Sequence, residues 1–271
     1  LKIRVSLVRF LEVPLKSSHR GLFCLFPLLI YYIYYKFFQM KYAVDFLSNS
    51  WILTTICVVV LIFGVLFIGN KMEKSKKTFY AKVLALIMLG FYIANHAILI
   101  SIGKWEFSKE LPFHLCSITG LICCFIMFIP KKNRQFLFEF LFYCGIIGGI
   151  QAILTPLIED YGGYNFFYIQ FFFKHAMIIA FPIYLRNNLG MKLSKFSWLK
   201  TFLVLNVLMI ILIQINDVLG SNYMYVNIPP AVDNPLLIGE WPTYLYWWEL
   251  FVLILILIVF FIAKPKNFEK N

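Results

Sequence analysis

Charge is scarce in this chain: Asp, Glu, Lys and Arg make up 14% of its 271 residues, against 61% for the apolar types. A water-soluble domain needs far more charge to cover its surface, so a soluble globular fold is excluded. Other signals are missing as well. No Ser/Gly/Pro linker separates two halves, no period of 20 to 50 residues repeats, and no gap between apolar runs would hold a soluble domain, which leaves one compact domain. CxxC spacing is absent. Cys24, Cys57, Cys116, Cys123, Cys124 and Cys144 all lie in apolar runs, so neither a disulfide framework nor a metal site is expected, and no cofactor is implied.

What is present is a series of apolar runs long enough to cross a bilayer, at 51 to 69, 80 to 103, 111 to 129, 136 to 157, 166 to 185, 198 to 216 and 243 to 263. Transmembrane strands would alternate in polarity, whereas Cys57 to Phe67 and Phe251 to Ala263 are apolar on every face. The fold class is therefore all-α, a polytopic transmembrane bundle of seven helices over residues 46–263, followed by a basic tail at 264–271.

Residues 1–45 form an extension with three open readings: an eighth helix at 21–38, an uncleaved signal-like segment, or sequence upstream of a start at Met40.

The formal net charge of +12 does not point to nucleic acid, because the lysines are parcelled between apolar segments instead of gathered on one face. Lys71 to Lys77, Lys131 to Arg134, Arg186 to Lys200 and Lys264 to Lys270 make every second gap basic. The positive-inside rule then places the C-terminus in the cytoplasm and the start of the first helix outside. The expected location is a plasma membrane, crossed several times.

Polar side chains inside a membrane helix are costly and mark function by default. At about 1.5 Å of rise per residue, His114 lies roughly 5 Å, Cys116 8 Å, Glu249 9 Å, His96 10 Å and His175 14 Å from the outer ends of their helices. Gln151 ends the fourth helix near the same surface, and Asn206 sits near mid-membrane. Asn222 and Tyr223, in the outer loop, extend the set; Glu139 and Lys174 fall outside it. The first helix offers only Thr54 and Thr55 and is expected to face lipid.

His114 and Cys116, two apart, point to different faces of a regular helix starting at Pro112, so a partner for the cysteine must come from another helix. His175 or His96 could supply that imidazole, making a nucleophile and base. A packed cysteine with histidines bonded to backbone carbonyls is the competing reading. Gly145, Gly148, Gly149 and Ala152 form a small-residue stripe suited to helix packing.

Specific strings carry a resemblance: Leu111-Pro112-Phe113-His114-Leu115-Cys116, Gly148-Gly149-Ile150-Gln151 with Thr155-Pro156, His175, Gly220-Ser221-Asn222-Tyr223-Met224-Tyr225 and Trp241-Pro242-Thr243-Tyr244. In this order they resemble the YwaF-like bacterial integral membrane family, which is similar to the eukaryotic transmembrane protein 164 group of phospholipid acyltransferases. The resemblance covers about residues 45 to 263. It implies a membrane-embedded cysteine at Cys116 and a histidine at His175, with a membrane lipid as substrate. Cys116 would take the acyl group as a thioester, His175 would move protons, and His114, Gln151 or Asn222 could donate to the oxyanion. Water as acceptor would make the same site a lipid esterase. A small-solute transporter and a non-catalytic scaffold are the alternatives, and no partner protein is indicated.

Overall fold

The structure is a computed structural model that describes residues 42–43, 46–158, 165–230 and 238–266. The helix considered at 21–38 lies outside the described residues, as does the end of the basic tail. Among the described residues six helices are long and apolar enough to cross a membrane: α1 Asn49–Lys71, α2 Lys74–Ser101, α5 Lys131–Leu154, α6 Asn165–Leu189, α7 Ser197–Leu219 and α8 Thr243–Ala263. Two shorter ones, α3 Phe107–Glu110 and α4 Leu115–Phe125, lie between α2 and α5. A two-residue antiparallel ladder, β1 Tyr42–Ala43 against β2 Leu157–Ile158, precedes α1 and follows α5. The all-α bundle stands as expected.

The third apolar run departs from expectation. Its helix has 11 residues instead of the full run, and at about 1.5 Å per residue it is too short to cross the hydrocarbon core. Nor does it start at Pro112. Leu111 and Pro112 lie in a turn, His114 is extended (ψ 144°) as the N-cap, and the first helical residue is Leu115. The turn is held from outside the helix, because the Tyr223 hydroxyl accepts from the Leu111 N–H at 3.0 Å and donates to the Phe107 carbonyl at 2.5 Å. At the other end Arg134 donates to the carbonyls of Met127 (2.9 Å) and Ile129 (2.6 Å), holding the turn that follows the short helix.

Local chemistry accounts for the long helices. Ser48 caps α1 by accepting from the Trp51 N–H at 3.2 Å. Leu53, Ile56, Val60, Phe63 and Phe67 are exposed along α1, the outward apolar face expected of a lipid-contacting helix. Its polar groups turn inward: Thr54 bonds Tyr168 at 2.6 Å and the Trp51 indole N–H donates to the Ile153 carbonyl at 2.8 Å. α5 and α6 are the central pair, with 61% and 56% of their spanning windows buried, against 11–22% for the other four. α6 packs on α1, α2, α4 and α5, while α7 and α8 pair with each other.

α5 is not a regular helix throughout. A π-helical segment over Leu141–Gly145 widens one turn and resets the register of Ile146–Leu154 relative to Arg134–Phe140. Below that point all of Phe138, Leu141, Tyr143, Phe181 and Tyr184 are fully buried and fill the bundle.

Glu139, set apart from the other polar groups at the outset, sits in this filled half with no exposure. Its carboxylate accepts from Gln135 Nε2 (2.7 Å), the Ser194 N–H (2.9 Å) and Lys200 Nζ (3.3 Å), tying α5 to the α6–α7 connection and to α7. Glu139→Ala removes the acceptor for all three donors and is expected to cost about 3–5 kcal/mol, because the partners stay behind unpaired. Glu139→Gln keeps an acceptor and should cost less. Unfolding in mixed detergent and SDS micelles measures both, and a loss below about 1 kcal/mol for the alanine variant would show that Glu139 does not hold this end together.

Candidate functional site

A cavity of about 780 Å³ lies between α2, α4, α5, α6, α7 and α8, within the roughly 300–1,000 Å³ typical of ligand sites. Of the residues singled out from sequence, His96, His114, Cys116, Gln151, His175, Asn222 and Glu249 line it. Asn206 and Tyr223 do not. Asn206 stands behind Glu249, donating to its Oε2 at 2.7 Å and to the Phe202 carbonyl at 3.0 Å. Tyr223 is fully buried behind His114, ring centroids 5.2 Å apart, and burial pushes its hydroxyl above the ordinary tyrosine pKa.

Cys116 is the second residue of α4, which places its sulfur at the N-terminal end of the helix and inside the cavity wall. A methyl group at Gly148 would stand 3.3 Å from that sulfur, so the glycine leaves the room that the side chain occupies. The next residue, Gly149, faces α6: a methyl there would lie 3.1 Å from the His175 carbonyl oxygen and 2.6 Å from Ile179 Cγ1. Consecutive glycines thus touch Cys116 on one side and the backbone of His175 on the other. The expectation that His114 and Cys116 face apart assumed a regular helix through both. Because α4 starts only after His114, the N-cap geometry lets both line the same cavity.

Hydrogen bonds fix which ring nitrogen each histidine offers. His175 Nδ1 lies 2.6 Å from the Phe171 carbonyl, which can only accept, so Nδ1 carries the proton and the neutral ring keeps its lone pair on Nε2. His96 and His114 are set the opposite way. The Trp105 indole N–H donates to His96 Nδ1 at 2.9 Å, and the Met224 N–H donates to His114 Nδ1 at 3.3 Å. Both rings therefore carry their proton on Nε2. The cavity is lined by one histidine with an acceptor nitrogen and two with donors.

The loop that aims Met224 at His114 is strained and pinned. Met224 and Tyr225 both have positive φ (54° and 55°), a conformation unfavourable for non-glycine residues. Asn216 holds it: Oδ1 accepts from the Tyr223 N–H (2.8 Å) and the Ser221 hydroxyl (2.8 Å), and Nδ2 donates to the Tyr223 carbonyl (3.1 Å) and Asn227 Oδ1 (2.9 Å). Tyr244 adds a bond to the Tyr225 carbonyl at 2.7 Å. Asn222 is largely spent on closing the loop, with Nδ2 donating to the Ile228 carbonyl at 2.8 Å and Oδ1 accepting from its N–H at 3.1 Å.

Lys174 corrects the sequence reading, which set it outside the polar group. It lines the same cavity, and its Cγ and Cδ lie 3.9 Å from where a methyl at Gly120 would stand, one turn along α4 from Cys116. Tyr92, Asn95, Glu110 and Gln170 are further polar liners that the sequence alone did not single out. For Lys174 the signal was available: a lysine in the middle of an apolar helix, next to a histidine, is itself a functional mark. Among the described residues no group of His, Cys, Asp and Glu is placed to hold a metal ion.

Comparison with known families shows that the sequence model of the TMEM164 family matches residues 37–260, most of the chain. Comparison with curated proteins and with solved structures finds no match.

Asn216→Ala removes four hydrogen bonds from a buried position and leaves the strained pair unsupported. Hydrogen exchange over residues 220–228 is expected to rise by at least tenfold, a loss of more than about 1.4 kcal/mol, with α5 and α6 unchanged. Unaltered exchange in the loop would mean that the strain is held elsewhere.

Proposed function

Because the chain belongs to the TMEM164 family, we propose that this integral membrane protein is a phospholipid acyltransferase in which Cys116 is the nucleophile and His175 the proton-transfer group. The observation that carries the reading is the sorting of histidine tautomers around one cavity. His175 offers a lone pair on Nε2, the form a general base needs, and His96 and His114 offer N–H donors, the form an oxyanion needs. Acyl transfer through a cysteine requires both.

A lipid substrate is favoured by the cavity's walls. Phe251, Val252, Leu255 and Ile256 of α8 line the cavity, an apolar wall that acyl chains would match. The charge pattern of the gaps supports a cavity in the outer half of the membrane, at the depth of glycerol ester carbonyls. Transport is disfavoured, because the buried residues Phe138, Leu141, Tyr143, Phe181 and Tyr184 pack together in the other half of the described bundle. In the reaction, the cysteine attacks the ester carbonyl, the leaving alcohol departs protonated, and the thioester is then opened by an acceptor hydroxyl that gives its proton to His175 Nε2. With water as acceptor the same steps amount to lipid hydrolysis.

Purified protein in mixed micelles, given a phospholipid with a fluorescent acyl chain and a lysolipid acceptor, tests this. Cys116→Ala should abolish transfer, by at least roughly 10³-fold, and also the labelling by a thiol-directed acyl probe. His175→Gln should lower transfer by roughly 10²–10⁴-fold while leaving the fold intact. Transfer and labelling indifferent to Cys116→Ala would sink the nucleophile assignment.

A further inference from the structure

Lys174 is a cation in the cavity wall that makes no direct salt bridge with a described residue; Cys116 and the Glu110 carboxylate are the groups of the same cavity whose charge acts on it. An ammonium held apart from direct ion pairs in a bundle embedded in lipid is costly, and such groups are kept where an anion meets them. The stem of Lys174 lies against Gly120, and Gly120 and Cys116 share one face of α4, four residues apart. The sulfur of Cys116 rests over Gly148 while the residue after Lys174 rests its carbonyl over Gly149, so the two side chains stand at one depth. The charge of Lys174 reaches Cys116 and also all three cavity histidines.

That last point decides which group can balance a thiolate. Two cations side by side in a low-dielectric cavity repel strongly, so an ammonium at Lys174 and an imidazolium at His175 exclude each other. His96 and His114 are barred from the role in any case, because protonating Nδ1 would break the bonds from Trp105 and Met224. We propose that Lys174 is the charge partner of Cys116, holding it as a thiolate in an ammonium–thiolate pair, and that His175 acts on the acceptor hydroxyl instead. The inference rests on the acyl-transfer reading above.

The steps balance with one positive charge at a time. The Cys116 thiol gives its proton to the Lys174 amine. The thiolate forms the C–S bond to the ester carbonyl carbon, the C–O bond breaks, and the leaving alkoxide takes the proton from Lys174, leaving a neutral amine beside the thioester. The acceptor hydroxyl then gives its proton to His175 Nε2 and attacks, the C–S bond breaks, and the proton moves from His175 to Lys174 to restore the pair. Lysine in this role beside a nucleophile has a counterpart in the Ser–Lys variants of the catalytic triad.

The titratable groups lining the cavity around the pair are Tyr92 and His96 from α2, Lys109 and Glu110 from α3, His114 before α4, Cys124 from α4, Cys144 from α5, His175 from α6, Tyr225 from the outer loop and Glu249 from α8. The test reads the thiolate directly and does not require turnover. The full-length protein in micelles is alkylated with iodoacetamide across pH 5.5 to 10, and modification at residue 116 is followed by peptide mass spectrometry, with the exposed Cys57 as internal control. Lys174→Met, which keeps the stem and removes the charge, is expected to slow alkylation of Cys116 at pH 7.5 by more than tenfold and move its midpoint to higher pH. Lys174→Arg should stay within threefold of the native chain, and His175→Gln should keep the native midpoint while losing transfer. Unchanged alkylation in Lys174→Met, or a midpoint raised by His175→Gln, would overturn the pairing. A native midpoint below Cys57 with full transfer in Cys116→Ala would support the pair and overturn the acyl-transfer reading, which keeps the two failures apart.

Discussion

Where α5 crosses α6, Gly145 meets the backbone of Ile178, and Gly149 meets the carbonyl of His175 and the side chain of Ile179. In lipid the hydrophobic effect does not press helices together, so contact of this kind has to come from close van der Waals packing between small residues. The central pair of helices depends on it, and so does the cavity. A side chain at position 149 would push α6 outward and carry Lys174 and His175 away from α4. A side chain at 148 would displace the sulfur of Cys116. The π-helical turn just before these glycines serves the same end, since it sets the register in which residue 148 faces α4 and residue 149 faces α6.

The two halves of the bundle treat buried polar groups differently. Around Glu139 each carboxylate oxygen has a donor, and the Tyr143 hydroxyl pairs with Ser197 at 2.7 Å. That network is closed, and its effect is to fasten α5, α6 and α7. Around the cavity the hydrogen bonds go to the back of each ring or amide and leave the forward atom open. Trp105, Met224 and Phe171 each take up Nδ1 of a histidine, and Asn206 takes one oxygen of Glu249. Closed networks hold a fold, whereas side chains supported from behind and open in front are what a binding site requires.

Much of this could be read from the sequence, because hydropathy and charge act at the scale of whole helices. The apolar runs, the small-residue stripe from Gly145 to Ala152, the separate standing of Glu139 and the lipid-facing side of α1 all follow from composition and helical spacing. What spacing could not show was where a helix is not one. The turn at Pro112 is imposed by Tyr223, which is more than a hundred residues away, and its effect is to put His114 and Cys116 on one cavity wall despite their separation of two. The π turn in α5 is likewise invisible to a 3.6-residue period. Asn206 and Tyr223 were read as site residues because they are polar, yet their groups are spent on Glu249 and on the α3–α4 turn. Lys174 was passed over although intramembrane charge is the strongest single mark of function.

The scarcity of charge in the chain as a whole also governs the chemistry of the cavity. A site walled by apolar residues and surrounded by lipid cannot hold several charges of one sign, so its polar groups must divide the work between neutral donors, a neutral acceptor and one charged centre. The histidine tautomers follow that division. Three imidazoles lie close to one lysine, and each is bonded so that its neutral form is the satisfied one. With the histidines neutral and Lys109 paired with Glu106 at 3.1 Å, Lys174 is the cation left to balance the sulfur of Cys116. A proton that leaves Lys174 frees His175 to accept one in turn. The order of proton movements is then set by the dielectric of the cavity as much as by the residues themselves.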